Sequence, residues 1–308
     1  MTVNLTAAAA FMATHARLLD RRRFHLLTAS PADDRTDDRT DAGAARAGVL
    51  AALDAYRNPD GGYGWGLEPD LRSPESQPGA ALHAFEVFEE IAPATAPQAA
   101  ALCDWLESVT LPDGGLPFAL PLTVADGTAP WWRGADPEVS TLQITAVSAA
   151  AAHRVAAADP AVAAHPWLRR ATRYCLDAVE ALDGAPHAYA LSFALHFLDA
   201  VHGTEPRAAG LMRRMSAYLP RNGELRVEGG TEDERLRPLD VAPSPGRPVR
   251  DLLDPEAVRA DLARLAALQA DDGGWTVDYA VISPAGALEW RGAATVRALR
   301  VLRANGAL

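Results

Sequence analysis

The sequence predicts an all-α protein in which inner and outer helices alternate around a central cavity, an arrangement called an α/α toroid. A short Asp-Gly-Gly turn recurs at Asp60, Asp113 and Asp272, each time between two helical segments. Paired glycines beside an aspartate suit a corner where one helix stops and the chain reverses. The helical segments also alternate between mostly apolar ones, expected inside, and ones with a charged stripe, expected to face water. A repeated corner indicates a repeated helical hairpin.

Apolar residues recur at helical spacing along most of the chain, and strand patterning is almost absent. The predicted helices are 6–27, 43–57, 79–91, 97–109, 141–157, 166–182, 188–201, 206–219, 255–270 and 291–303. The mostly apolar ones, predicted to be inner helices, are 79–91, 141–157, 188–201 and 291–303.

The stretch 220–254 interrupts the helical pattern because it is rich in proline, glycine and charge. It is too long for an ordinary connection, so we expect a flap or rim over the cavity mouth. Within and before it, Asp183-Gly184 and Asn222-Gly223 are candidate degenerate copies of the corner. Residues 1–308 are predicted to form a single domain.

Composition excludes several classes of function. The formal net charge of −11 makes nucleic acid an improbable partner and disfavours anionic membranes, since both need a basic face. Cys103 and Cys175 form no metal-type pair and are expected to be buried thiols in a reducing compartment. The chain has no apolar run of about 18 residues and no signal-peptide order, so we expect a cytoplasmic protein without a transmembrane segment.

The fullest corner reads Gln-Ala-Asp-Asp-Gly-Gly-Trp at 269–275. It resembles the repeat of triterpene cyclases and of protein prenyltransferase β subunits, whose α/α toroids place such turns between outer and inner helices. Segment 58–70, Asn-Pro-Asp-Gly-Gly-Tyr-Gly-Trp-Gly-Leu-Glu-Pro-Asp, and segment 287–292, Ala-Leu-Glu-Trp-Arg-Gly, resemble a group of actinobacterial proteins related to those cyclases. That group brings no assigned activity, whereas the cyclases imply acid-initiated cyclisation of an isoprenoid.

In such a toroid the segments that precede the inner helices converge on one mouth of the cavity. The carboxylates on these segments are Glu68, Asp70, Asp136, Glu138, Asp278 and Glu289. The aromatic and imidazole side chains there are Trp65, Trp131, Trp132, His187, Tyr189, Trp275, Tyr279 and Trp290. Aromatic faces beside carboxylates suit a cationic intermediate or ligand. The alternative is that these tryptophans only hold helices together beside the turns.

Closure of the ring brings the two ends of the chain together. The first and last corner segments are also the densest in aromatic and acidic residues. We therefore expect one cluster made of Trp65, Glu68, Asp70, Glu289 and Trp290.

Class II cyclases protonate an alkene or epoxide with the middle carboxyl of an Asp-rich motif just before an inner helix. The resemblance places this motif before Thr141, where Asp136 and Glu138 match two acidic positions and Val139 replaces the neighbouring carboxylate. Glu138 is then the expected proton donor, for which burial against Trp131 or Trp132 would favour the protonated form and the helix N-terminus would oppose it. Such a donor also needs a partner to hold its proton. The alternative is that Asp136 and Ser140 cap the helix.

Metal sites are less favoured. Cys175-Leu176-Asp177 has the reverse order of the Asp-x-Cys zinc pair found in prenyltransferases. The duplicated Asp-Asp-Arg-Thr at 33–41 matches the magnesium pattern of class I terpene synthases, but its alternating charges indicate a solvated loop. His83 and His196 are expected to be core histidines, and we predict neither a metal nor a cofactor.

Two functions stay open. The protein is either a class II terpene cyclase-like enzyme that acts on a hydrophobic small molecule, or a binding or accessory protein that holds an apolar or cationic ligand in the same cavity without chemistry. A fold by itself does not establish a reaction.

Overall fold

A computed structural model describes residues 3–29 and 38–308 of the chain, with no side chains described for 38–41. This part is 57% helical, with 14 helices and a single two-stranded sheet, so the predicted all-α class is confirmed. The magnesium-type motifs at 33–41 lie outside the described residues, apart from the backbone of 38–41 in the first turn of a helix.

The elements follow the predicted segments closely. The helices are α1 (Leu5–His15), α2 (Leu18–Thr28), α3 (Asp38–Asp54), α4 (Pro78–Glu90), α5 (Pro97–Val109), α6 (Pro130–Arg133), α7 (Leu142–Ala156), α8 (Pro160–Ala163), α9 (Pro166–Ala181), α10 (Ala188–Ala200), α11 (Ala208–Met215), α12 (Pro238–Val241), α13 (Pro255–Ala267) and α14 (Pro284–Ala304). The antiparallel strands are β1 (Leu225–Arg226) and β2 (Arg235–Leu236). Short 3-10 helices span Ser216–Tyr218 and Pro248–Leu252.

Several helix boundaries differ from the prediction, among them that of α3, which begins at Asp38 rather than at 43. The single helix expected at 6–27 is wrong, because Ala16 and Arg17 are extended, with ψ of 149° and 158°, and separate α1 from α2. The last helix begins at Pro284 rather than 291, because Ser283 caps it by accepting a hydrogen bond from the Gly286 amide. Pro at the first helical position favours this early start.

The three Asp-Gly-Gly corners share one geometry. Their first glycines have nearly identical positive φ angles: Gly61 +92°, Gly114 +94° and Gly273 +93°. In each corner the aspartate Oδ1 accepts a hydrogen bond from the second glycine's amide: Gly62 to Asp60 at 2.9 Å, Gly115 to Asp113 at 3.0 Å and Gly274 to Asp272 at 3.1 Å. The same local chemistry therefore ends three different helices.

The two candidate degenerate corners behave differently. Gly223 has a φ of +69°, and the Glu224 amide donates to Asn222 Oδ1 at 3.2 Å, so this copy keeps the turn chemistry. Gly184 does not have a positive φ, although it lies between α9 and α10 as a corner should.

The first glycine of each full corner lies close to the backbone of another helix. A Cβ on Gly61 would lie 3.1 Å from the Ala101 carbonyl oxygen in α5, and one on Gly114 would lie 3.2 Å from the Arg170 oxygen in α9. At Gly273 the neighbour is the Ala7 oxygen in α1. The N-terminal helix thus occupies, behind the last hairpin, the position that α5 and α9 occupy behind the first two.

The pairwise helix contacts extend this relationship. Helix α7 packs against α4 and α10, α14 packs against α13, α1 and α2, and α2 packs against α3. The two ends of the chain are therefore in contact, as a closed ring requires. The toroid and its cavity stay predictions. Among the described residues, no helix has both the length and the apolar character needed to cross a bilayer.

Candidate functional site

Asp70, in the loop after the first corner, is the most buried of the predicted site carboxylates, with 3% of its surface exposed. The indole Nε1 of Trp290 donates to its Oδ2 at 2.9 Å, and its own amide donates to Glu68 Oε1 at 3.1 Å. The Ala129 amide fixes the loop by donating to the Asp70 carbonyl at 2.9 Å. The other carboxyl oxygen, Oδ1, is buried without a hydrogen-bond partner among the described residues.

This environment raises the pKa of Asp70 to about 6. Burial is the main cause, and the negative charge of Glu68 adds to it. The hydrogen bond from Trp290 and the nearby Ile282 amide lower the pKa to a smaller extent. Asp70 can therefore exchange a proton near neutral pH, which is the property that a general acid needs.

Glu68 is held differently, in a chain of two carboxylates on either side of His83. Glu68 Oε2 lies 2.9 Å from His83 Nε2, and Glu86 Oε2 lies 3.1 Å from His83 Nδ1. Burial lowers the pKa of His83, but the charges of Glu86 and Glu68 and their hydrogen bonds outweigh it and raise the pKa to about 9. His83 is then an imidazolium at neutral pH whose two N–H groups donate to Glu68 and Glu86.

An aromatic wall stands beside Asp70. The ring of Trp290 meets His83 edge to face, with centroids 6.0 Å apart, and meets Tyr279 at 5.1 Å and 82°. Burial raises the pKa of Tyr279 well above its usual value, so its phenol stays neutral. Such faces stabilise a neighbouring cation.

Glu289 lies next to Trp290 in the sequence but has a separate role. Its carboxylate pairs with Arg72, with Oε2 and Nη1 2.6 Å apart. This ion pair holds the Arg72 loop against α14.

The stretch 220–254 contacts two of the segments predicted to border the mouth. The Tyr189 hydroxyl at the start of α10 donates to Glu234 Oε1 at 2.8 Å, and His187 Nε2 lies 3.0 Å from a backbone oxygen of the same hairpin. Arg237 pairs with Asp278 at 2.6 Å, beside Tyr279. His187, Tyr189 and Asp278 are thus occupied in holding this stretch in place.

Of the five residues expected in one cluster, four come together and Trp65 does not. Trp65 is 58% exposed, and its indole donates to Asn58 Oδ1 at 2.8 Å. It lines an open depression with Pro59 and Pro74. Its backbone has a φ of +58°, in the left-handed region.

Trp275 and Trp132 support the packing alternative, whereas Trp131 does not. Trp275 is 2% exposed, and its indole donates to the Leu265 carbonyl at 2.8 Å under the third corner. Trp132 is buried and stacks on Phe118 with ring centroids 4.5 Å apart. Trp131 is 44% exposed.

The burial against a tryptophan that would favour Glu138 as a donor does not occur, since Glu138 and Asp136 are both exposed. The Glu138 amide donates to Asp136 Oδ1 at 2.9 Å, which makes a tight turn at the surface. The capping alternative is wrong: Ser140 Oγ donates to Asp113 Oδ1 at 2.6 Å, and Thr141, at the helix start, makes no side-chain cap. Because the Ser140 hydroxyl is hydrogen-bonded to Asp113, it does not cap α7.

The helices predicted to be apolar and internal instead carry a set of ion pairs, here called the central ion-pair network. Its members are Arg23, Glu86, Glu89, Glu90, Arg154 and Arg300, which connect α2, α4, α7 and α14. The separations are 2.7 Å for Arg23–Glu90, 2.8 Å for Arg154–Glu89 and 2.7 Å for Arg300–Glu90. The space between these helices is therefore polar at this end. His83, Glu86 and Glu90 are three and four residues apart, so they share one face of α4. This spacing predicts a polar face, although the helix as a whole is mostly apolar.

In the part of the chain that the structure covers, no group of three or more His, Cys, Asp or Glu side chains could hold a metal ion. Burial raises the pKa of both Cys103 and Cys175, which keeps these thiols neutral.

Comparison with known proteins found no matching family model and no matching curated sequence. We therefore base the function on the geometry of the site.

Proposed function

We propose that this protein performs acid-initiated chemistry on an isoprenoid, in the manner of a class II terpene cyclase, and that Asp70 rather than Glu138 donates the proton. One observation carries the proposal. Asp70 is a buried carboxyl with one oxygen held by the Trp290 indole and the other, also buried, without a partner among the described residues. A proton on that second oxygen is therefore not committed to an acceptor in the described part of the chain.

In the proposed step, the Asp70 carboxyl transfers its proton to a terminal alkene carbon or an epoxide oxygen. The alkene π electrons form the new C–H bond, or the epoxide C–O bond breaks as its oxygen takes the proton. Either route leaves an aspartate and a carbocation. The faces of Trp290 and Tyr279 would stabilise that cation, and loss of a proton from the final carbocation to the Asp70 carboxylate would form the neutral product and restore the acid.

The test is turnover of linear isoprenoids with alkene or epoxide ends by the Asp70→Asn variant. Asparagine keeps an oxygen for the Trp290 indole but removes the acid, so we expect a loss of about 10²–10⁴-fold with ligand binding preserved. Glu138→Gln is the matched control, because Glu138 is an exposed carboxylate on another mouth segment. Normal turnover by Asp70→Asn would exclude Asp70 as the donor.

A second candidate is a binding protein that holds an organic cation without chemistry. It is supported by the edge-to-face pair of Tyr279 and Trp290 beside Glu68 and Asp70, which provides aromatic faces and negative charge together. The polar central ion-pair network also suits a small charged ligand better than a long apolar one. Here Asp70→Asn would weaken binding of a tetraalkylammonium ion, because it removes the counter-charge.

A further inference from the structure

Arg297, in the middle of α14, is much more exposed than the residues next to it on the helix. Its neighbours Val296, Ala298 and Leu299 are buried, yet 58% of the Arg297 side chain is accessible. On the same face of α14, Trp290 meets His83 of α4 and, farther along, Arg300 pairs with Glu90 of α4. Arg297 lies between these two contacts, so its exposed surface opens on the space between α14 and α4.

The guanidinium of Arg297 is only partly used. Its Nη2 donates to Asp240 Oδ1 at 2.6 Å, while Nε and Nη1 donate to no described residue. The Asp240 carboxylate is shared, since its Oδ2 also accepts a hydrogen bond from the Arg237 amide at 2.8 Å. A planar guanidinium with a free edge is suited to bind a carboxylate or phosphate with two parallel hydrogen bonds.

A second arginine with unused donors lies near α14, because its partner Glu89 is also 3.7 Å from Arg300 of that helix. Arg154 of α7 donates through Nε to Glu89 at 2.8 Å, its two terminal nitrogens donate to no described residue, and 38% of its side chain is accessible. His196 of α10 lies close to both arginines. Burial and the charges of Arg154 and Arg297 lower the pKa of His196 to about 4. Its Nε2 donates to the Asp240 carbonyl at 2.9 Å.

We propose that Arg297 and Arg154 form a binding site for a small oxyanion, either a carboxylate or a phosphate group. The free guanidinium edges would bind the oxygens. The site does not depend on the chemistry proposed for Asp70. Trp290 and Arg297 are seven residues apart on one helix, or about 10 Å, so one ligand could reach both places.

The experiment titrates the full chain separately with inorganic phosphate and with succinate, by calorimetry, to distinguish the two sources of oxyanion. We expect saturable binding of at least one, and the tighter of the two identifies the ligand class. An acidic protein of net charge −11 has little non-specific attraction for anions, so saturable binding indicates a built site.

Arg297→Gln should weaken that binding about tenfold or more, because it removes a charge-assisted bidentate contact. Arg259→Gln is the matched control: Arg259 is 61% accessible, lies on α13 and also pairs with a single carboxylate, Glu256. Its affinity should be unchanged. If neither anion binds the wild-type chain, or both variants weaken binding equally, the proposal is overturned.

Two further variants keep the test decisive. If Arg297→Gln does not fold, Arg297→Lys replaces it, with an expected loss of at least about threefold because an ammonium cannot bind bidentately. Wild-type affinity in that variant would overturn the proposal. Asp70→Asn should leave anion binding intact, so a failure of the proposed acid chemistry is distinguishable from a failure of the anion site.

Discussion

The indole of Trp290 donates to the Asp70 carboxylate at 2.9 Å across 220 positions of sequence. This hydrogen bond fixes Oδ2 beside the rings of Trp290 and Tyr279, while Oδ1 has no hydrogen-bond partner among the described residues. The carboxyl most suited to acid chemistry is therefore defined by a contact between the first corner segment and the last helix.

Trp290→Phe should remove this contact while keeping an aromatic ring, with the same loss of ring atoms as in the Trp275→Phe control. Because the Trp290 hydrogen bond lowers the pKa of Asp70, its loss should raise that pKa above about 6. It should also lower the free energy of unfolding by about 1–3 kcal/mol at pH 8, where the buried carboxylate loses its donor. Urea unfolding at several pH values measures both effects. Trp275→Phe, which loses a hydrogen bond to the Leu265 carbonyl, should show no such pH dependence.

The pH profile should distinguish the two proposed functions. A proton donor with a pKa of about 6 is active in its protonated form, so turnover should fall about tenfold per pH unit above pH 6. A counter-ion acts in its ionised form, so affinity for a tetraalkylammonium ion should instead rise as pH increases through 6 and then level off. If neither quantity changes between pH 5 and 8, Asp70 serves neither function.

His83 should make stability decrease at alkaline pH. Its pKa is about 9 in the folded chain and 6.5 in an unfolded one. The contribution is therefore complete below pH 6.5 and disappears as pH rises through 9. Its size is up to about 3 kcal/mol. Thermal unfolding of wild type and His83→Gln between pH 6 and 9.5 checks this, because the difference between them should shrink over that range. A constant difference would contradict it.

The three corner glycines should tolerate alanine to different degrees. All have φ near +93°, so each substitution costs roughly 1–2 kcal/mol in backbone conformation. At Gly273 the new Cβ would also lie 2.1 Å from the Ala7 oxygen, against 3.1 Å and 3.2 Å for the nearest atoms at Gly61 and Gly114. We expect Gly273→Ala to be the most destabilising of the three in urea unfolding. Equal losses would mean that α1 moves aside easily.

The sequence also identifies candidate aromatic and acidic residues, but not which of them are buried. Asp70 and Glu138 are both carboxylates on segments that precede a central helix. One is buried under Trp290, and the other is exposed on a tight turn. Nothing within a few residues of either distinguishes them. Likewise, His83 was expected to be a core histidine, and only its two carboxylate neighbours make it a cation.

By itself, the sequence determined the helical class and the three corners, because helix periodicity and Asp-Gly-Gly turn chemistry depend on residues only a few positions apart. The tertiary structure alone decided which carboxyl is buried, which tryptophan faces it, and that α4 meets its neighbours through ion pairs. Those properties depend on burial and on charges brought from distant segments, such as Arg23 and Arg300 around Glu90. A pKa responds to that whole environment, so the chemical character of Asp70 arises only when the first corner segment and α14 pack together.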